Sequence, residues 1–120
     1  MTAPQRSSDG GSDDANSDDT DRAAKGGLLL VQIDVRPEDE AELGRWYEEE
    51  HIPERLAVPG ILSATRYRSI EHPGRYLGVY ETADPRLPIS DEYLSHAMTP
   101  WTRRMAERWL QMDRSLWERL

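Results

Sequence analysis

The sequence predicts an α+β domain in which an antiparallel sheet carries two main helices on one face. Three observations predict it. A β-rich run at residues 28–35 (LLLVQIDV) is uniformly apolar on one side. An amphipathic helical stretch follows it, and later a second one opens at Thr99-Pro100. Between the helices, residues 61–70 and 75–82 read as strands joined by the turn cluster Glu71-His72-Pro73-Gly74, an antiparallel hairpin. The order strand, helix, hairpin, helix lacks only a last strand to become βαββαβ, the ferredoxin-like split βαβ arrangement.

In the first strand Leu29, Val31, Ile33 and Val35 share the apolar face, with Leu28, Leu30, Gln32 and Asp34 on the other. Pro37 then stands ahead of Glu38, Asp39 and Glu40, whose charges suit the positive end of a helix dipole. Leu43, Tyr47 and His51 fall four apart on one stripe of that helix, with Trp46 beside it. Pro53 disfavours helical geometry at Ile52, so the helix is expected to stop or kink there and leave His51 at the exposed end of a buried stripe. Pro59-Gly60 turns the chain into the second strand. In the third strand Tyr76, Gly78 and Tyr80 share a face, and Gly78 leaves a gap for packing or for a ligand. Ser90 can cap a short helix reaching about His96, and Thr99 caps the next. There Trp101, Met105, Arg108/Trp109 and Met112 recur at helical spacing. Residues 114–120 (RSLWERL) fit either a continued helix or a strand; the strand completes the order.

One domain is expected, at residues 28–120. Residues 1–27 hold six Asp and no aromatic side chain, and cannot bury enough apolar surface to offset the entropy of ordering, so this stretch reads as a disordered acidic tail. It has neither the basic start nor the apolar core of a secretory signal. The domain itself carries a net charge of −5, which argues against nucleic acid as a partner. The Arg residues near the end (Arg103, Arg104, Arg108, Arg114, Arg119) fit a solvated helix face better than an anion site. No run of 18 apolar residues suggests a membrane span. The absence of Cys excludes disulfides and thiolate chemistry and fits a cytoplasmic protein. A core this small often gains stability by pairing, and the uncovered sheet face is the natural surface for a homodimer.

Among candidate functional residues His51 stands first. An imidazole on an apolar stripe is either a core residue satisfied by a carbonyl or a general acid/base that takes a proton alpha to a carbonyl. Glu48-x-x-His51 is one metal-like pair where a di-iron bundle needs two pairs and further carboxylates, and neither His72 nor His96 has ligand spacing with it, so no metal is expected. Tyr67, Tyr76 and Tyr80 are ordinary strand residues or oxyanion donors, depending on the face they take. Trp101 and Trp109 read first as packing residues. Arg66, Arg103 and Arg104 have the chemistry to hold a carboxylate, though most such residues face water. Glu49, Glu50 and Glu54 read as the solvated side of the first helix. No phosphate loop or nucleophile elbow is present.

The segment WYEEEHIPERLAVPGILSATRY, followed by GRYLGVYET and TPWTRRM, resembles small proteins of the dimeric α+β barrel superfamily across residues 28–120. The likeness is to EthD-like proteins and the cofactor-free muconolactone and methylmuconolactone isomerases, and more distantly to antibiotic-biosynthesis monooxygenases and polyketide cyclases. It implies a homodimer built on two sheets, no cofactor, and a small-molecule pocket between each sheet and its helices. It implies catalysis by His51 with Tyr67 near it, although the cysteines of those isomerases are absent. Trp46, Tyr47, Tyr80, Trp101 and Arg66 are the expected substrate-binding residues. The implied chemistry is isomerisation, cyclisation or lysis of a small carbonyl or aromatic compound in catabolism or secondary metabolism. A cofactor-free monooxygenase and a non-catalytic binding dimer are the alternatives.

Overall fold

The computed structural model describes residues 25–96 and 98–120. The expected disordered tail lies outside them except at its end, where the first strand already begins at Gly27. In chain order the elements are β1 (Gly27–Asp34), a short 3-10 turn, α1 (Glu40–Trp46), a π-helical turn (Tyr47–His51) and α2 (Ile52–Leu56). Then come β2 (Ile61–Arg68), β3 (Arg75–Thr82), α3 (Asp91–Leu94), α4 (Pro100–Arg108) and β4 (Gln111–Glu118). The sheet is antiparallel in the order β2-β3-β1-β4, the ferredoxin-like arrangement that the element order predicts.

β1 is central because its alternation suits a strand covered on one face. Leu29, Ile33 and Val35 are buried and Val31 partly so, all toward the helices. The core they seed is in two halves. One gathers Ile33, Val35, Leu43, Trp46, Tyr47, Tyr76 and Met105. The other gathers Leu29, Val58, Ile61, Tyr80, Leu87 and Tyr93, and Val31 touches both.

Two boundaries differ from the sequence expectation. The first helix does not end near Ile52; it continues to Leu56 through the π-helical turn, in which the Ile52 N–H donates to the Tyr47 carbonyl. Pro53 therefore falls in the first turn of α2, where its missing N–H is not needed. His51 lies inside a continuous helical segment, not at an exposed end. At the other end of the domain, α4 stops at Arg108 and Met112 belongs to β4. Trp109 is extended (φ −68°, ψ 129°) and the Leu110 N–H donates to the Asp34 carbonyl at 2.8 Å, so pairing with β1 wins over helix propagation. The caps are as the sequence suggests: the side chains of Ser90 and Thr99 accept from the N–H groups of Tyr93 and Thr102.

A bulge between Ile61 and Ser63 sets the parity of β2. Ile61 faces the helices, but after the extra residue Ala64 and Arg66 take that face while Ser63, Thr65 and Tyr67 point to the open one. Among the described residues no helix is long and apolar enough to cross a membrane.

The gap at Gly78 is filled by packing. A Cβ built there would lie 2.9 Å from the Tyr80 hydroxyl and 3.0 Å from its Cε2, because the Tyr80 ring folds back along β3 over the glycine. Gly78→Ala should therefore destabilise the domain by about 1–3 kcal/mol, as overpacking does. In a double-mutant cycle by urea unfolding, Tyr80→Phe should recover part of that loss; strict additivity would show that the two positions do not clash.

Candidate functional site

The seam between the two half-cores is open. A cavity of about 340 Å³ lies there, floored by Leu29, Val31 and Ile33 of β1 and roofed by the π-helical turn and the segment around α3. Val31 pairs with Gly78 on one side and Arg114 on the other. Its inner end is closed by the buried Trp46, Tyr47 and Tyr80, and its mouth by the exposed Leu94, Met98 and Met112.

His51 enters this cavity from the π-helical turn within a cage of rings. Its imidazole stacks on Trp46 (centroids 4.3 Å apart, planes at 18°) and meets Tyr47 and Tyr80 edge-on at 5.5 and 5.9 Å. The stack depends on the widened turn. In a regular α-helix residues five apart are rotated by about 140° around the axis, on different faces. The i→i+5 ladder of a π turn brings them together. Trp46 is held in turn by its indole N–H, which donates to Thr102 Oγ1 at 3.1 Å, and Thr102 also donates to Glu50 at 3.2 Å. Glu50 therefore belongs to a buried-side network at the start of α4 and not to a purely solvated face.

Burial among rings, reinforced by the positive charge of Arg55, lowers the His51 pKa from 6.5 to about 3, so the imidazole is neutral at physiological pH. Burial also raises Tyr47 to about 12 and Tyr80 further still, keeping both as phenols. These two phenols are near enough to influence each other's ionisation, yet neither buried hydroxyl meets hydrogen-bond geometry with a partner. Among the described residues no three His, Asp or Glu side chains converge as a metal site requires.

The structure thus gathers His51, Trp46, Tyr47 and Tyr80 around one cavity and leaves three expected residues outside it. Tyr67 is on the opposite face of the sheet, 55 % exposed, because the β2 bulge inverts its parity. Trp101 is half-buried against the first half-core at the α1–α4 contact, away from the cavity lining, and its indole N–H donates to Glu42 at 3.1 Å. Arg66 covers the outer side of the Tyr47 ring, its guanidinium 4.6 Å from the centroid and 4.0 Å from Glu48. Sequence reasoning missed Arg55, Tyr93, Trp109 and Arg114 as lining residues. Arg55 is one turn after His51, a position hidden by the expectation that the helix ends before it. Trp109 meets Trp46 edge-on at 6.0 Å just past α4, and Arg114 is held by donation to the Pro88 carbonyl at 2.7 Å.

No family model and no curated protein matches the chain. Solved structures do. A Bordetella bronchiseptica protein provisionally named an antibiotic biosynthesis monooxygenase is 20 % identical, with a TM-score of 0.65 over 80 % of this chain and 96 % of its own. A conserved protein of Methanosarcina mazei Go1 is 15 % identical, with a TM-score of 0.62 over 84 % and 99 %. A Nitrosomonas europaea protein with the same provisional monooxygenase name is 13 % identical, with a TM-score of 0.61 over 81 % and 92 %. At these identities the likeness is one of architecture: the chain shares the ferredoxin-like α+β fold of these proteins.

Proposed function

We propose that this chain oxygenates a small, electron-rich aromatic compound bound between the sheet and its helices, the substrate itself supplying the electrons. For a methylene between two aryl rings that a carbonyl also joins, as in an anthrone, the step balances without another reductant. Two C–H bonds break, one atom of O2 becomes the new carbonyl oxygen, and the other leaves as water with both hydrogens. The substrate reacts as its enolate or phenolate. Trp46, Tyr47 and Tyr80 hold the ring system, and neutral His51 hydrogen-bonds to it.

The observation that carries this choice is the neutral, ring-caged imidazole. Isomerisation, cyclisation or decarboxylation through His51 needs a base whose conjugate acid lies near the working pH. With a pKa of about 3, lifting a proton as weakly acidic as a phenol's is uphill by roughly 10 kcal/mol. An oxygenase whose substrate arrives ionised needs no such base. The monooxygenase names borne by structural neighbours support the same choice.

We further propose that the active form is a homodimer joined through the open sheet face. Leu62, Tyr67 and Trp117 on that face are each more than half exposed, beside the half-buried Leu30, Leu77 and Val79. An apolar strip of this kind suits self-association.

Three measurements test these readings. An oxygen electrode with anthrone as the probe should record one O2 consumed per anthrone. His51→Gln, which keeps a neutral hydrogen-bonding group, should hold kcat within about threefold, while His51→Ala loses about tenfold or more. Equal collapse of both variants would restore the acid/base mechanism, and ligand returned unchanged without oxygen uptake would remove the enzyme reading. The second test is stability against pH. Above 6.5 both folded and unfolded His51 are neutral; below it the unfolded chain takes up the proton first, so stability falls until about pH 3. Between pH 7 and 5 the loss attributable to His51 should be about 2 kcal/mol by urea unfolding, and His51→Gln should abolish it. Third, analytical ultracentrifugation should give twice the chain mass for the wild type and a folded monomer for Leu62→Asp/Trp117→Asp. A wild-type monomer at micromolar concentration would contradict the dimer.

A further inference from the structure

We propose that the occupant of the cavity is an aromatic anion, its ionised oxygen held by Arg55 and the hydroxyl of Tyr93. This names the charge of the substrate proposed above and rests on that reading only for its aromatic character.

The first ground is a reversal of charge. The chain has 23 acidic and 15 basic side chains. Yet the charged side chains that line the cavity are Arg55 and Arg114, with no Asp or Glu among the described residues there. A second, independent ground is the set of buried polar atoms without partners. Six such side-chain atoms occur among the described residues, and four belong to cavity-lining residues: Arg55 Nε, Trp109 Nε1 and the neighbouring Tyr47 Oη and Tyr80 Oη, of which one can donate to the other and leaves the second hydrogen free. All four carry a hydrogen to donate. Buried donors without acceptors are costly, and an occupant rich in acceptor oxygen relieves them.

The third ground is the geometry at Arg55. Its Nη1 donates to Tyr93 Oη at 2.9 Å, and its guanidinium carbon is 5.1 Å from the centre of the same ring. A phenol oxygen that accepts from a cation is itself a stronger donor, so the Tyr93 hydrogen and the remaining Arg55 N–H groups form a two-residue oxyanion clasp. Among the described residues no carboxylate pairs with Arg55, whereas Arg66 and Arg75 each have one and Arg108 has two. The half-buried guanidinium has no counter-charge among the described residues, and an anionic ligand supplies one.

Isothermal titration of the full chain with 1-naphthoate and its neutral isostere 1-naphthamide tests the proposal. The naphthoate should bind about tenfold tighter or more, the value of a charge-assisted pair. Arg55→Gln should bring the two affinities within about twofold. Arg55→Lys should keep part of the preference, and Tyr93→Phe should lose part of it. Unchanged naphthamide affinity in each variant reports an intact cavity. A parallel pair, 4-nitrophenolate and 4-nitroanisole, distinguishes a phenolate clasp from one that prefers carboxylate. Equal affinity of anion and isostere in both pairs, a preference that survives Arg55→Gln, or no binding by any probe would overturn the proposal. Anion preference without oxygen uptake would leave the clasp standing and remove the oxygenase reading alone.

Discussion

The widened helical turn at Tyr47–His51 is the constraint on which the rest of the site depends. It carries the helix past Pro53 without ending it, since the proline arrives in the first turn of a new α-helical segment. It also brings Trp46 and His51, five residues apart, into face-to-face contact. Without it Arg55 would not follow on the same continuous segment. A single departure from regular hydrogen bonding thus supplies the imidazole, its stacking partner and the cation beside them.

The sheet supplies the space. A domain of this size would ordinarily close one continuous core. Here Val31 packs against both half-cores, and its neighbours across the sheet are Gly78 and Arg114: one has no side chain, and the other reaches to the Pro88 carbonyl. Gly78 admits the Tyr80 ring, which folds back along the strand and closes the inner end. The cavity is consequently a property of strand register. Moving any of these three residues by one position would exchange them with residues of the open face.

That dependence on register explains what was legible in the sequence. The alternation of Leu29, Val31, Ile33 and Val35, the hairpin, and the Ser90 and Thr99 caps are local patterns, and each names its own element. His51, Trp46, Tyr47 and Tyr80 line one cavity because they lie on the inner face of a helix or a strand, and that face is legible from the local pattern. Tyr67 was misplaced because one extra residue at the β2 bulge inverts every later side chain, and a bulge leaves no periodic trace. Arg55 and Tyr93 were missed for a different reason. Neither belongs to a long periodic stretch, and their pairing joins residues 38 apart in sequence. Trp101 and Trp109 were ranked by helical spacing, which loses its meaning where α4 gives way to β4 at Trp109.

Electrostatics then decides between chemistries that the fold alone permits. The same rings that give His51 its stacking partner also remove its water, and desolvation outweighs every other influence on its proton affinity. A histidine so placed is a poor proton carrier and a good neutral contact for a flat ligand. Arg55 sharpens this, since a permanent cation beside the imidazole opposes a second positive charge while favouring a negative one in the space between them. The two effects differ in what they do to an anion: burial disfavours any charge in the cavity, whereas Arg55 opposes a positive one and favours a negative one. On the oxygenase reading proposed above, ionisation precedes binding and the electron-rich ring meets oxygen directly, so a weakly basic His51 is no obstacle.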